Sequence, residues 1–448
     1  MSIHMTEWQC HPKAEALVLK LLENSSQANP LITQLQKELQ ELTSTRLFDW
    51  LDHLIAENKP AFEKEVLNVG YSLESETASY KVFRHLGAQL PRLVLSSKKQ
   101  EEGIAVTVDD IADFLMVRGW SFDIEGTPFA SYRRCLIETE SRSKLWVVER
   151  RCSGIMEPVY QDTHYLNSFY SAKEAWKTRP RSLENQDEAM QETLILAKKM
   201  IALVGQDLAA WIVLECEREY WQSRNSAAQI QKNRQDRLGM GWANHDHHTF
   251  RSSRRQFANM IKFFELLGFY CRERFYAGKE AGWGAQVMEH PNTRLVLFLD
   301  VDLEPNEIEV DFRSKPLGEL KKMSTVGLWC ALHGDSILKA GMHHLEAQFL
   351  FEDLTQDLAT LGVGMMNPFS NFPYLRQAFT KGETWKVKEK TVQKLLSDGL
   401  ITKEQADKFI TQGAIGSHLE NLQRREGYKG FNQNNVSYII QKTDPRNG

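Results

Sequence analysis

Two short runs of histidine are the residues of this sequence best suited to chemistry. Residues 245–248 read His-Asp-His-His, and residues 343–344 are a second histidine pair. Each run begins a segment of strand-like composition, in which alternate side chains share a face, so His247 and Arg251 are expected to point the same way. One imidazole from each of two strands, with a carboxylate from a third, makes a 2-His-1-carboxylate metal site whose ligands suit Fe(II). The alternative is that these histidines are buried, hydrogen-bonded and inert.

The elements that must position these residues follow one repeated order. The sequence predicts a strand over 245–251, an amphipathic helix over 255–267 and then three strands that end near residue 301. The same strand-helix-strand-strand-strand (βαβββ) order is predicted between residues 91 and 151, and it begins again at residue 341. Recurrence of one supersecondary order indicates a fold built from repeated modules.

The fold class predicted from this order is α+β, with βαβββ modules around a metal cavity and with helical N-terminal and inserted segments. Leucine spacing indicates a helical N-terminal region over 1–90, followed by a βαβββ-like module over 91–178. A helical linker region is expected over 179–240 and a two-module metal-binding domain over 241–448. A helical insertion is expected near 391–428, inside the second of these two modules.

The first histidine run also resembles a known family. Residues 246–251 (Asp-His-His-Thr-Phe-Arg), with the helix end at 266–269 (Leu-Leu-Gly-Phe), resemble the first module of the 2-oxoadipate dioxygenase/decarboxylase family. That family belongs to the vicinal-oxygen-chelate superfamily, whose unit is βαβββ. The resemblance implies that His247 binds the metal and that Arg251 holds a carboxylate of an oxo acid. Arginine suits this role because its planar fork can bind a carboxylate bidentately.

The second histidine pair extends the resemblance. The pair His344-Leu345 and the later segment 374–379 (Tyr-Leu-Arg-Gln-Ala-Phe) are similar to the second module of that family. This implies that His344 is the second metal ligand and that Gln377 contacts the substrate. The third ligand of the family is a glutamate on the next strand, which would be Glu389 here. A different closing strand, over 436–441, would place Tyr438 or Ile440 at that position and leave no carboxylate.

The function implied by the resemblance is that of a non-haem Fe(II) dioxygenase of the decarboxylating type, which acts with O₂ on a small 2-oxo acid or a related carboxylate. Two alternatives from other classes stay open. One is a metal-dependent isomerase or lyase on the same scaffold, because a fold does not fix a function. The other is a silent ligand-binding protein that has lost the carboxylate ligand. Metal content separates the silent protein from both enzymes, and O₂ uptake separates the oxygenase from the isomerase.

Composition excludes several other classes. The chain has 448 residues, 42% of them hydrophobic, and 55 Lys+Arg against 59 Asp+Glu give a net charge of −4. It can therefore bury a core, and nothing marks it as a nucleic-acid or anionic-membrane binder. We find no apolar run that could cross a membrane and no signal-peptide pattern, and the six scattered cysteines fit reduced thiols, so a cytoplasmic location is expected. The sequence does not predict the oligomeric state.

Other acidic positions are expected to be structural. Glu149, on the last strand of the N-terminal module, is interpreted as a surface charge, and that module as a structural cap. Asp300 and Asp302 share one face of a predicted strand and are expected to be solvated. Phosphate-binding glycine motifs and the Gly-x-Ser-x-Gly elbow are absent from the sequence.

Overall fold

The computed structural model describes residues 8–137, 140–152, 154–181, 183–278, 281–307, 311, 316–320, 322–432 and 444–446. Two curved mixed sheets dominate this part of the chain, one in the N-terminal third and one in the C-terminal half. A group of helices lies between them in sequence. No helix in the described ranges combines the length and apolarity needed to span a bilayer.

The N-terminal sheet contains two βαβββ modules, not one. Its strands are β1 Leu51–Glu57, β2 Ser72–Glu76, β3 Tyr80–Arg84, β4 Arg92–Ser96, β5 Glu102–Thr107, β6 Ile124–Glu125, β7 Tyr132–Ile137 and β8 Ser143–Arg150. Their order across the sheet is β2-β3-β4-β1-β5-β8-β7-β6. Four helices accompany these strands: α1 Pro12–Ala28, α2 Pro30–Thr43, α3 Pro60–Asn68 and α4 Ile111–Val117.

The expectation of helix throughout residues 1–90 therefore differs from the structure after residue 43. Leu47, Leu51 and Ile55 recur at helical spacing, yet the last two lie on strand β1. β1 is packed between the parallel strand β4 and the antiparallel strand β5 in the interior of the sheet. A strand covered on both faces carries no polar alternation, so its sequence does not distinguish it from a buried helix.

The region between the two sheets is helical, and it begins within the range 91–178 that was expected to be a βαβββ-like module. It comprises α5 Thr163–Lys177, α6 Gln186–Val204, α7 Gln206–Gln222 and α8 Ser226–Asp236. Apolar side chains of α5, α6 and α7 share one continuous core with the outer face of the C-terminal sheet. These helices therefore cover the outer face of that sheet and hold it in place.

The C-terminal sheet contains two further modules. The first comprises β9 His245–Arg251, α9 Arg254–Leu266, β10 Tyr270–Tyr276, β11 Trp283–Glu289 and β12 Val296–Asp302. The second comprises β13 His344–Gln348, α11 Phe351–Thr360, β14 Ser370–Phe372, β15 Leu375–Phe379 and β17 Ala414–Arg424, with α10 Thr325–His333 before it. The sheet order is β10-β11-β12-β9-β13-β17-β15-β14. The α+β class and the βαβββ modules are thus confirmed.

The helical insertion lies inside the last module and ends earlier than expected. It consists of β16 Glu383–Trp385, α12 Glu389–Ser397 and α13 Lys403–Gln412. β16 does not form a hairpin with β15, because both strands pair with β17. Residues 414–424, expected to be part of the insertion, form the closing strand itself. The closing strand expected over 436–441 lies outside the described residues.

Candidate metal centre

Three adjacent strands carry the ionisable residues of the candidate site. β13 lies between the antiparallel strand β9 and the parallel strand β17. In this register Glu346 lies opposite both His247 and Glu420, and His344 lies opposite Thr249. All these side chains project from the inner face of the sheet, because the intervening residues belong to the core on the outer face.

His247, His344 and Glu420 form a compact group of metal donors. Their donor atoms all lie within 4.8 Å of one another, and all three side chains are buried. His344 Nε2 is 2.8 Å from Glu420 Oε2. This is a 2-His-1-carboxylate set from three strands, the donor set expected of a non-haem Fe(II) site. A second group in the described residues, Asp246, His247 and Glu346, shares one histidine with it.

Without a metal ion, burial and neighbouring charges shift the pKa values of these donors away from their usual ranges. Burial lowers the pKa of His344 well below its usual range, which leaves the neutral imidazole that metals bind. Burial and then the charge of Glu346 raise the pKa of Glu420 well above its usual range. Burial opposes protonation of His247, but Glu346 and Asp246 raise its pKa to about 8. A divalent cation would replace the shared protons as the balancing charge.

His247 is oriented by a buried ion pair behind it. Its Nδ1 donates to Asp246 Oδ1 at 3.2 Å. Asp246 in turn receives two hydrogen bonds of 3.1 Å from the guanidinium of Arg424. Burial alone would raise the pKa of Asp246, but Arg424 and His247 hold it well below its usual range. A carboxylate partner of this kind leaves Nε2 of the histidine for the metal.

His344 has a histidine as its second partner. Nδ1 of His344 and Nδ1 of His343 lie 2.8 Å apart and share a hydrogen bond. If His344 binds a metal through Nε2, its proton sits on Nδ1, so His344 is the donor and His343 the acceptor. The ring of His343 packs edge-on against Trp329, with centroids 5.5 Å apart. His343 therefore fixes the orientation of the His344 ring.

Gln377, expected to contact the substrate, is bonded to the third donor. Its Nε2 donates to Glu420 Oε1 at 3.2 Å, and its Oε1 accepts from Ser370 Oγ at 3.1 Å. Gln377 also lines the cavity beside the donors. Its position allows it both to hold Glu420 in place and to meet a bound molecule.

Arg251 lies on the inner face, as strand parity predicts, and it is fully buried. Its Nε is 3.7 Å from Asp300 Oδ2. Both Nε and Nη1 lack a hydrogen-bond partner. Asp300 and Asp302, expected to be solvated, are buried at 3% and 2% exposure. Burial raises the pKa of Asp300 to about 7, although Arg251 and His247 oppose the shift.

A small cavity of about 60 Å³ adjoins the donors. A volume of this size holds a few water molecules or part of a small ligand. Its polar lining includes the three donors, Thr249, Asp300 and Glu346. The rest of its wall is largely aromatic: Phe275, Trp283, Phe298, Phe369, Phe379 and Phe431.

The structure does not bring Glu389 to this cavity. Glu389 is exposed in the first turn of α12, where a carboxylate favours the positive end of the helix dipole. The carboxylate beside the two histidines belongs instead to Glu420, which the sequence analysis did not consider. The signal that could have found it is the run 418–420 (His-Leu-Glu), which resembles 344–346 and would mark a strand of the same kind.

The two modules around the site are related by approximate twofold symmetry, which exchanges β9 with β13 and β12 with β17. β12 is parallel to β9 and aligns Phe298 with Thr249, just as β17 is parallel to β13 and aligns Glu420 with Glu346. Phe298 therefore occupies the position equivalent to Glu420. Since phenylalanine has no donor atom, the position equivalent to Glu420 supplies no protein ligand in the other module.

In the described part of the N-terminal sheet, no comparable group of donors is found. The face turned away from α1 and α2 carries apolar clusters that include Val82, Val94, Ala105 and Val148. Glu149 is not a surface charge as expected but is 1% exposed. It accepts hydrogen bonds from Arg133 at 2.7 Å and Arg151 at 2.6 Å.

Comparisons with known proteins show only distant likeness. No protein-family model and no curated protein matches the sequence. Among solved structures, the chain is similar to a proposed hydrolase from Shewanella frigidimarina NCIMB 400, with 15% identity, coverage of 55% of this chain and 97% of that chain, and a TM-score of 0.30. It is also similar to a variant of 4-hydroxymandelate synthase from Streptomyces coelicolor, with 8% identity, coverage of 88% and 98%, and a TM-score of 0.30.

A third similar structure is methylmalonyl-CoA epimerase from Mycobacterium tuberculosis, with 11% identity, coverage of 41% of this chain and 89% of that chain, and a TM-score of 0.24. Likenesses at these values carry no information about a site. The chemistry of the candidate centre therefore rests on the side chains of this chain alone.

Proposed function

We propose that this chain is a non-haem Fe(II) dioxygenase that acts on a small 2-oxo acid. The observation that carries the proposal is the convergence of His247, His344 and Glu420 within 4.8 Å, buried at the wall of a cavity. Two imidazoles and one carboxylate suit Fe(II) and leave neighbouring positions open for other ligands. When bound, Fe(II) supplies O₂ activation and a chelating site for the oxo acid.

The other residues of the site have roles that follow from their contacts. Asp246 and His343 orient the two imidazoles, and Gln377 holds the carboxylate of Glu420. Phe298 and Phe431 pack on the ring of His247, with centroids 4.6 and 5.1 Å away, and exclude water from that side. Exclusion of water strengthens each electrostatic contact in the site and limits side reactions.

The open side of the donor set favours an oxygenase. The position equivalent to Glu420 in the other module holds Phe298, so the strand register supplies no symmetry-related fourth ligand there. An oxygenase needs such positions for both substrate and O₂. A donor set closed by four protein ligands would leave less room for them.

One observation favours the second candidate, a metal-dependent isomerase or lyase. Glu346 Oε2 is 2.7 Å from His247 Nε2, while Oε1 is buried without a partner. A carboxylate held beside a metal ligand can act as a general base toward a bound substrate. The silent binding protein, in contrast, was expected only if the third donor was missing, and Glu420 supplies a carboxylate.

The metal content of anaerobically purified protein tests the proposal first. We expect near-stoichiometric iron that His247→Ala, His344→Ala and Glu420→Ala each abolish, and that the matched control Glu389→Ala retains. Iron that survives Glu420→Ala but not Glu389→Ala would contradict the donor assignment. A different metal lost in the same three variants would favour the isomerase or lyase.

Consumption of O₂ then separates the two reactions. The iron-loaded protein is expected to consume O₂ and release CO₂ with 2-oxo acids. An isomerase would instead exchange substrate hydrogen with solvent without consuming O₂. Such exchange, lost in Glu346→Gln, would contradict the oxygenase.

A further inference from the structure

Two carboxylates besides Glu420 lie in the candidate site. Glu346 is completely buried on β13, between His247 and Glu420. Asp300 is 3% exposed on β12, lines the cavity and lies 3.7 Å from Arg251 Nε. Neither carboxylate is bonded to a lysine, and Arg251 is the cation nearest to Asp300 in the described ion pairs.

These carboxylates change the charge of the site. A divalent metal and Arg251 bring three positive charges, and Glu420, Glu346 and Asp300 bring three negative ones. Asp246 adds nothing to this sum, because Arg424 neutralises it. A divalent cation favours the ionised form of a carboxylate near it. The loaded site is therefore close to neutral before any substrate enters.

A neutral buried site discriminates against a second carboxylate. The chelating end of a 2-oxo acid brings one negative charge, which takes the site from neutral to −1 but lies in direct contact with the metal. A second carboxylate would bring another charge into the buried site, where Asp300 already faces Arg251. An uncompensated charge in such surroundings is strongly disfavoured.

The wall of the cavity suits an uncharged substituent. Phe275, Trp283, Phe298 and Phe431 line it. None of the described residues that line it is an arginine or a lysine, so no cation of the wall faces a substituent of the substrate. Apolar and aromatic surface of this kind binds an apolar or flat group and gains little from a carboxylate.

We propose that Asp300 and Glu346 make this site selective for 2-oxo acids with a single carboxylate and an uncharged substituent, and against 2-oxo diacids. This inference rests on the proposed function, because it assumes a metal that chelates the oxo acid. It assigns Arg251 a different role from the one implied by the family resemblance. Arg251 compensates Asp300 and does not hold a carboxylate of the substrate.

The test compares two acids of equal length, 2-oxohexanoate and 2-oxoadipate. Each is titrated under argon into Fe(II)-loaded protein, and the charge-transfer absorption of the chelate reports binding. We expect wild type to bind 2-oxohexanoate at least tenfold more tightly than 2-oxoadipate. Asp300→Asn and Glu346→Gln are each expected to reduce this ratio by about tenfold, since each removes one negative charge near the substrate.

Asp302→Asn is the matched control. Asp302 is also buried on β12, but it accepts backbone N–H groups of Ser324 and Val326 and does not line the cavity. We expect its ratio to stay within about twofold of wild type. Should Asp300→Asn fail to fold, the wild-type ratio and Glu346→Gln still decide the question.

Each remaining outcome has a defined meaning. A wild-type preference for 2-oxoadipate, or a ratio unchanged in both Asp300→Asn and Glu346→Gln, would overturn this inference and leave the proposed function intact. Absence of bound iron, or of chelate absorption with either acid and with pyruvate, would overturn the proposed function and this inference with it.

Discussion

Replacement of His343 by phenylalanine tests whether a residue that does not touch the metal controls metal affinity. In the metal-free protein His344 can carry its proton on Nε2 and donate it to Glu420 Oε2 at 2.8 Å, because the proton that burial holds on Glu420 can lie in its hydrogen bond with Glu346. A metal on Nε2 forces the proton to Nδ1, where His343 is the acceptor at 2.8 Å. Phenylalanine fills the same space against Trp329 but accepts no hydrogen bond.

The magnitude follows from the cost of a buried N–H without an acceptor. That cost is about 1–3 kcal/mol, and in His343→Phe it is paid only in the metal-bound state, because the free state can move the proton. Since about 1.4 kcal/mol corresponds to a factor of ten, metal binding is expected to weaken by about 5- to 150-fold.

Competition with a chelator of known affinity measures this change. The matched control is His333→Phe, because His333 also packs on Trp329, at 5.4 Å, but hydrogen-bonds the backbone carbonyl of Ile415. His333→Phe is expected to lower thermal stability without a specific loss of metal. His343→Gln, whose side-chain oxygen can accept the bond, is expected to recover part of the affinity. Wild-type metal affinity in His343→Phe, or an equal loss in His333→Phe, would refute the reasoning.

Three further predictions follow from the same contacts. In the metal-free protein, burial raises the pKa of Asp300 to about 7 from an ordinary value near 4, so its contribution to stability is complete at low pH and is lost as pH rises through 7. The unfolding free energy should fall by about 1.4 kcal/mol more between pH 6 and 8 in wild type than in Asp300→Asn, and equal slopes in urea titrations would contradict this. Phe298→Glu should add a fourth donor, so the protein should keep its metal better against a competing chelator. The same variant should lose the charge-transfer absorption that 2-oxo acids produce, and unchanged absorption would argue against the strand symmetry. Arg424→Met leaves Asp246 buried without its arginine partner, which should cost about 3 kcal/mol or more in urea unfolding. Asp246→Asn in the same chain should restore part of this free energy, whereas an unchanged stability of Arg424→Met would show that the pair is dispensable.

Much of the C-terminal half could be predicted from the sequence because its elements have unambiguous signals. The helix α9 has an apolar face and ends just before Gly268, which has a φ of +95° that glycine adopts readily. The strand β9 places His247 and Arg251 on one face by parity alone. Both inferences depend only on residues that are close together in the sequence.

The third donor could not be predicted in the same way because it depends on pairing across the sheet. Glu389 was expected on the closing strand, but the short strand β16 ends four residues before it, and two helices intervene before the strand that pairs with β13. Glu420 lies on β17, which is buried along its whole length and so lacks the polar alternation of a half-exposed strand. The same lack of alternation concealed β1 in the N-terminal region.

The contacts of the N-terminal segment with the last residue of β17 and with the residues after it give the first part of the chain a thermodynamic connection to the metal. Arg46 Nη2 donates to the backbone oxygen of Arg424 at 3.0 Å, and Glu15 accepts the backbone N–H of Gly427 at 2.7 Å. Arg424 in turn fixes Asp246 and, through it, His247. Linkage is reciprocal: if docking of α1 and α2 strengthens metal binding, metal binding strengthens their docking by the same free energy. Binding of the metal would then slow hydrogen exchange of the α1 and α2 backbone, although neither helix supplies a metal donor.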